Sequence, residues 1–153
     1  MSLDDDIAFF ERVPSFAVLG QQALRILAIG AETKHLPSGA VLFYAGELAD
    51  GGYVVQDGAL RLEPGTFSDG KEFIAGPGTL VGELALLTET VSSATAIAKE
   101  PTTVIRITRN LFKKMLEGYP DAAVKMRDIM AARLDVWTRE LGTVQRAMDK
   151  NGE

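Results

Sequence analysis

A chain of 153 residues, 46% of them hydrophobic and 24% charged, is long enough for one domain with a substantial core. It has no cysteine and a single histidine, which excludes disulfides, thiol nucleophiles, thiolate metal sites and any metal site built on two or three imidazoles. A net charge of −5 argues against general nucleic-acid binding, which needs a basic face. No apolar run approaches the roughly 18 residues of a membrane span, and the acidic start MSLDDDIAFF lacks a signal-peptide core. The expectation is a cytoplasmic protein with neither membrane nor nucleic acid as a partner.

In chain order, residues 4 to 12 fit a short helix whose aspartates favour its N-terminus. Pro14 breaks it. QQALRILAIGA, with apolar Leu24, Ile26, Leu27 and Ile29, predicts a second helix closed by Gly30. From His35 to Thr108 the texture changes to short runs rich in Val, Ile, Leu, Phe and Tyr, separated by Gly and Pro. That spacing predicts an all-β sandwich or barrel of about seven or eight strands. Asp57-Gly58 predicts a tight hairpin between YVVQ and ALRLE, Ser68-Asp69-Gly70 a second turn and AGPG, residues 75 to 78, a third. His35, in AETKHLPSG, has no nucleophile motif near it and reads as an ordinary strand or surface residue.

After Thr108 the period becomes helical. RNLFKKMLEGYP places Leu111, Phe112, Met115 and Leu116 on one face and stops at Gly118 and Pro120. Residues 121 to about 148 then predict a helix about 40 Å long. Met130, Leu134, Trp137, Leu141, Val144 and Met148 recur in steps of four and three, a heptad seam. The seam is expected to form a homodimer contact, with packing along the chain's own barrel as the alternative.

This order of parts resembles the cyclic nucleotide-binding domain of bacterial cyclic-AMP receptor proteins, kinase regulatory subunits and nucleotide-gated channels. The resemblance covers roughly residues 10 to 140. It is carried by LPSGAVLFYAGELADGGYVVQDGALRL with Gly39, Gly46 and Gly58 at turns, by GPGTLVGELALL, and by LFKKMLEGYPDAAVKMRDIMAARL. It implies a mainly β, jelly-roll-like double-stranded β-helix barrel (residues 35–108) with short N-terminal helices (1–34) and C-terminal helices (109–150), all in one domain.

The segment GELALLTETVSSAT, residues 82 to 95, then carries the site. A turn starting at Gly82 offers backbone N–H groups to an anion, and glycine allows close approach. Glu83 suits a ribose hydroxyl, or serves as an acid at a helix start. Leu84, Leu86 and Leu87 are expected to anchor the turn in the core. The family continues with Pro-Arg-Ala/Ser-Ala-Thr, where the arginine grips the cyclic phosphate. Here Val91 takes the proline position and Ser92 the arginine position, followed by Ser93, Ala94 and Thr95. Arg61 and Arg106 lie on neighbouring strands as substitute cations or as ordinary strand charges. Trp137 and Thr138 fall where the family's long helix approaches the base; Trp137 either stacks on a purine or packs in the seam. The resemblance thus marks Gly82, Glu83, Leu84, Ala85, Ser92, Ser93, Ala94, Trp137 and Thr138 as the ligand-binding set, with cyclic AMP or cyclic GMP as the candidate ligand and no cofactor or metal.

Only QRAMDKNGE follows Val144, so a helix-turn-helix domain of about 60 residues has no room, and a sensor module alone is expected. Two readings stand: a non-catalytic regulatory domain that binds cyclic nucleotide weakly, or a degenerate domain that acts through protein contact, dimerisation or another small ligand. A cupin-type enzyme needs clustered metal ligands that one histidine cannot supply.

Overall fold

Two short helices lead into the β region: α1 (Leu3–Glu11) and α2 (Gln21–Gly30). The structure, a computed structural model, describes residues 3–64, 73–129 and 131. Asp4, Asp5 and Asp6 occupy the first turn of α1, where acids complement the helix dipole. Residues 12 to 19 wind through turns that bury Val13 and Phe16 completely. On α2 the buried stripe is Ala23, Leu24 and Leu27, whereas Ile29 is 65% exposed. The helix does end at Gly30, but without a left-handed cap, because Gly30 has no positive φ. The residue is small for another reason: a Cβ there would lie 2.5 Å from Leu111 Cδ1.

The strands that follow are β1 (Glu32–Leu36), β2 (Val41–Phe43), β3 (Leu48–Ala49), β4 (Gly51–Asp57) and β5 (Leu60–Pro64). Then come β6 (Phe73–Ala75), β7 (Leu80–Val81), β8 (Thr90–Val91), β9 (Ala94–Ala98) and β10 (Thr102–Thr108). Between β7 and β8 sits a single 3-10 turn, Glu83–Leu86. Helix α3 (Arg109–Gly118) follows β10, and residues 120 to 129 are helical again. One sheet has the order β1-β10-β4-β7, a second β2-β9-β5-β6, and β3-β8 form a ribbon. All pairings are antiparallel. This is the mainly antiparallel, jelly-roll-like β fold with flanking helices that the sequence led one to expect. The strands are shorter and more numerous than expected, with register shifts at Thr103/Val104 and Val41/Phe43.

The Asp57-Gly58 turn is a correction. β4 and β5 do not pair with each other; they belong to different sheets. Gly58 alone takes a positive φ, +84°, so the two-residue hairpin geometry is absent. The chain instead turns a corner against β10. Thr102 Oγ1 accepts from the Ala59 N–H at 3.2 Å, and a Cβ on Gly58 would lie 2.5 Å from the Pro101 carbonyl. The Ser68-Asp69-Gly70 turn, the heptad seam, Trp137 and Thr138 lie outside the described residues.

Two cores share the first sheet, because alternate side chains point to opposite faces. Val54, Ile105 and Ile107 face the helices and pack with Phe10, Phe16, Phe112 and Met115. Phe16 bridges Phe10 (ring centroids 5.7 Å apart, edge-on) and Phe112 (6.2 Å). Val55, Val81 and Val104 face the barrel interior with Leu60, Ala75 and Ala96. Thr108 caps α3, accepting from the Leu111 N–H at 3.1 Å. Pro120 begins the next helical run instead of only stopping the last, as its fixed φ and missing N–H suit a first helical position.

Candidate functional site

The turn after β7 is set by Gly82, which holds a left-handed backbone (φ 84°, ψ 36°). A Cβ at Gly82 would also stand 3.3 Å from the Gly51 carbonyl oxygen. The following Glu83–Leu86 segment has 3-10 geometry, in which residues three apart eclipse. That period explains its burial pattern. Ala85 and Leu86 are buried, while Leu84 and Leu87, three apart, are 37% and 39% exposed. The expectation that Leu84 and Leu87 anchor the turn is therefore corrected: Leu86 does so with Ala85. A four-residue turn also carries only a small dipole toward an anion.

Two side chains distant in sequence hold this turn. Ser15 Oγ donates to Glu83 Oε2 at 2.9 Å, tying the N-terminal segment to the acid. Arg109, the first residue of α3, donates from Nε to the Ala85 carbonyl at 2.9 Å and from its terminal nitrogen to the Ala49 carbonyl at 2.6 Å. Its backbone N–H reaches the Asp50 carbonyl at 2.7 Å. Arg109 thus fastens β3, the 3-10 turn and α3 together. Sequence reasoning missed Ser15 and Arg109. Ser15 carries no motif, and Arg109 looks like any charge at a helix start.

A cavity of about 480 Å³ lies beside the turn. Gly82, Glu83, Leu84 and Ala85 form one wall. Ser92, Ser93 and Ala94 form another. The backbone of Ser92 is fixed from both sides: its N–H donates to the Glu47 carbonyl and its carbonyl accepts from Gly46, each at 2.8 Å. A smaller space of about 110 Å³ adjoins at Gly82 and Ser92, against Asp50 and Tyr53.

Among the described residues lining the large cavity, Glu83 alone bears a charge. Neither Arg61 nor Arg106 lines it. Arg61 sits opposite the exposed Ile74 on β6 and pairs with Glu63 at 3.1 Å. Arg106 stands opposite Glu32 on one side and Tyr53 on the other. It is no exposed strand charge: its side chain is 20% exposed and pairs with Glu32 at 3.4 Å and closely with Asp50. Burial pulls the Arg106 guanidinium down, but Asp50, Tyr53 and Glu32 together leave it above its ordinary value. Its charge is therefore committed to two carboxylates. His35 is an exposed strand residue with Nδ1 3.1 Å from Thr103 Oγ1. No group of three or more His, Cys, Asp or Glu suited to a metal ion occurs among the described residues, and no described helix is long and apolar enough to cross a membrane.

Comparison with known proteins gives a consistent result. The family model described as cyclic nucleotide-binding domain matches residues 33–119. The chain is 31% identical over 124 residues to the cyclic AMP receptor protein of Thermus thermophilus, covering 79% of this chain and 57% of that protein. It is 31% identical over 117 residues to the lysophospholipase NTE1 of Chaetomium globosum, covering 75% of this chain but spanning only 8% of that enzyme's length. Among solved structures, a cyclic nucleotide-binding-like protein from Brucella abortus superimposes with a TM-score of 0.65 at 37% identity, covering 74% of this chain and 99% of the other. The N-terminal domain of a transcriptional regulator from Streptomyces coelicolor gives a TM-score of 0.76 at 27% identity, covering 87% and 94%.

Proposed function

Because the chain belongs to the cyclic nucleotide-binding domain family, we propose that it is a non-catalytic regulatory sensor domain whose pocket holds cyclic AMP or cyclic GMP only weakly. One observation carries the reading: Ser92, the residue that the resemblance sets at the family's phosphate-gripping arginine, lines a cavity whose described lining residues include no arginine, lysine or histidine. A hydrogen bond to a charged group contributes about 1.5–3 kcal/mol, and a bidentate arginine sits at or above the top of that range. Its replacement by serine weakens phosphate binding by about 10- to 1000-fold. The two strand arginines offer no substitute, since Arg106 is held by Asp50 and Glu32 and Arg61 by Glu63, and the Arg109 guanidinium is engaged by the Ala85 and Ala49 carbonyls.

A thermal melt with and without millimolar cyclic AMP and cyclic GMP, run beside Ser92→Arg, tests this. A ligand at about 100 times its dissociation constant adds about 2.7 kcal/mol. The expected outcome is a clear rise in Tm for Ser92→Arg and a much smaller one for the native chain. Equal rises in both would sink the reading, because some other group would then replace the arginine.

A second reading, action through protein contact, draws on the β3-β8 ribbon, where Leu48 and Val91 face each other across the strands, both exposed. Silence of both proteins in the melt favours it. In either case the heptad seam of residues 130 to 148 supplies a homodimer contact in the cytoplasm. Leu134→Asp with Leu141→Asp is expected to convert a dimer to a monomer in sedimentation equilibrium, and an unchanged mass would remove the seam from the interface.

A further inference from the structure

Strand β1 lies at the edge of its sheet. It pairs with β10 on one side, and among the described residues its backbone makes no hydrogen bond on the other. Glu32, Thr33, Lys34 and His35 are all exposed. Such an edge presents a row of unpaired N–H and C=O groups to another extended chain. Its charges restrict which chain fits. Glu32 and Lys34 stand two residues apart and so share one face. Glu32 already meets Arg106 across β10 at 3.4 Å, whereas the Lys34 side chain forms no ion pair among the described residues. Like charges directly opposite each other destabilise a strand pair and opposite charges support it. A strand laid along β1 must therefore bring a base to Glu32 and an acid to Lys34.

A second copy of β1 does both. In a twofold-symmetric antiparallel pair of identical strands one residue faces itself, because hydrogen-bonded and non-hydrogen-bonded pairs alternate along the ladder. Centred on Glu32, the pair sets acid against acid; centred on Lys34, base against base. Centres at Ala31 or His35 leave both charges without an opposite. Centred on Thr33, the pair sets Glu32 against Lys34 of the second copy, and Lys34 against its Glu32. Ala31 then faces His35 of the second copy, and Ala31 is already extended (φ −75°, ψ 153°), so residues 31 to 35 of each chain join the ladder. The row across the enlarged sheet alternates in sign, from Arg106 to Glu32 to Lys34 of the second copy. From these observations we infer that β1 is a self-recognition edge, which pairs antiparallel with β1 of a second copy in register about Thr33. A ladder this short buries far less than the roughly 1,000 Å² of a stable interface, so the contact is weak and forms at high chain concentration. It is independent of the cavity and separate from the heptad seam.

The chain has no cysteine, so a single introduced thiol reports the register without background. A self-opposed residue has a Cα–Cα separation of about 4.5–5.5 Å, inside the roughly 4.4–6.8 Å that a disulfide spans. Position 35 is displaced from its own copy by four residues, about 14 Å along the strand, which a disulfide does not reach. Under mild oxidation of the full chain at millimolar concentration, Thr33→Cys is expected to form a disulfide-linked dimer at least about tenfold faster than His35→Cys, read on a non-reducing gel. Adding Lys34→Glu to Thr33→Cys sets acid against acid twice and is expected to slow the cross-link by about tenfold, whereas Lys34→Arg leaves it unchanged. The Lys34 side chain is exposed and without an ion pair among the described residues, so neither change strikes the fold. No cross-link with Thr33→Cys, equal rates for Thr33→Cys and His35→Cys, or a rate indifferent to Lys34→Glu would each overturn the inference. Thr33→Cys combined with Leu134→Asp and Leu141→Asp is expected to cross-link still; loss of the cross-link there would make the edge a by-product of the seam and overturn its standing as a separate interface.

Discussion

The two faces of the β1-β10-β4-β7 sheet are built for different ends. Toward the helices, Val54, Ile105 and Ile107 meet three fully buried phenylalanines, Phe10, Phe16 and Phe112, with Met115 behind them. Toward the barrel, Val55, Val81 and Val104 meet Leu60 and the two alanines Ala75 and Ala96. Large aromatic side chains fill the first space. The second is built of smaller side chains, and a cavity of about 480 Å³ adjoins it at Val81, Phe43 and Leu62. One side of the same sheet thus supplies stability and the other supplies room, and the strand period of two lets one run of residues serve both.

Three substitutions sharpen that contrast. Phe112→Ala strikes the filled side: it is expected to cost about 3–5 kcal/mol, since a large cavity opens among packed rings. Urea unfolding should show the midpoint falling with little change in slope. Arg109→Met strikes the joint between the two sides. It leaves the Ala85 and Ala49 carbonyls without their guanidinium partner and is expected to cost about 2–3 kcal/mol, with faster amide exchange in the 3-10 turn as the local sign. Leu84→Ala strikes the open side and is expected to cost less than about 1 kcal/mol, because a side chain already 37% exposed has little burial to lose. If Leu84→Ala destabilised the protein as much as Phe112→Ala, the division into a filled and an open face would be wrong.

Much of the fold was legible along the chain. The glycine-punctuated run from His35 to Thr108 became the barrel, and Phe112 and Met115 at helical spacing became the buried face of α3. The turn at Gly82 also fell where the sequence put it. Other elements were misread for physical reasons. Asp57-Gly58 has the residues of a hairpin but makes a corner between sheets, because Thr102 and the Pro101 carbonyl lie against it. Leu84 and Leu87 look like core residues, yet a 3-10 period turns both outward. Gly30 looked like a helix cap and is instead a place where Leu111 needs space. Gly82, Glu83, Ser92 and Ser93 were marked by resemblance, and the fold lines them along one cavity.

What the sequence alone determined is the inventory: a chain with no cysteine and one histidine, and hydrophobic periods that switch from helix to strand to helix. These are properties of residue type and local spacing, which need no knowledge of distant neighbours. The tertiary structure decided where charge can act. Arg61 and Arg106 were open substitutes; Arg61 pairs with Glu63 two positions along its own strand, whereas the fold sets Arg106 between Glu32 and Asp50, and Arg109 was unremarked until the fold brought Ala49 and Ala85 to it. The pairings of Arg106 and Arg109 join residues from 24 to 74 positions apart. Electrostatic energy depends on separation in space, and no local pattern in the sequence specifies it.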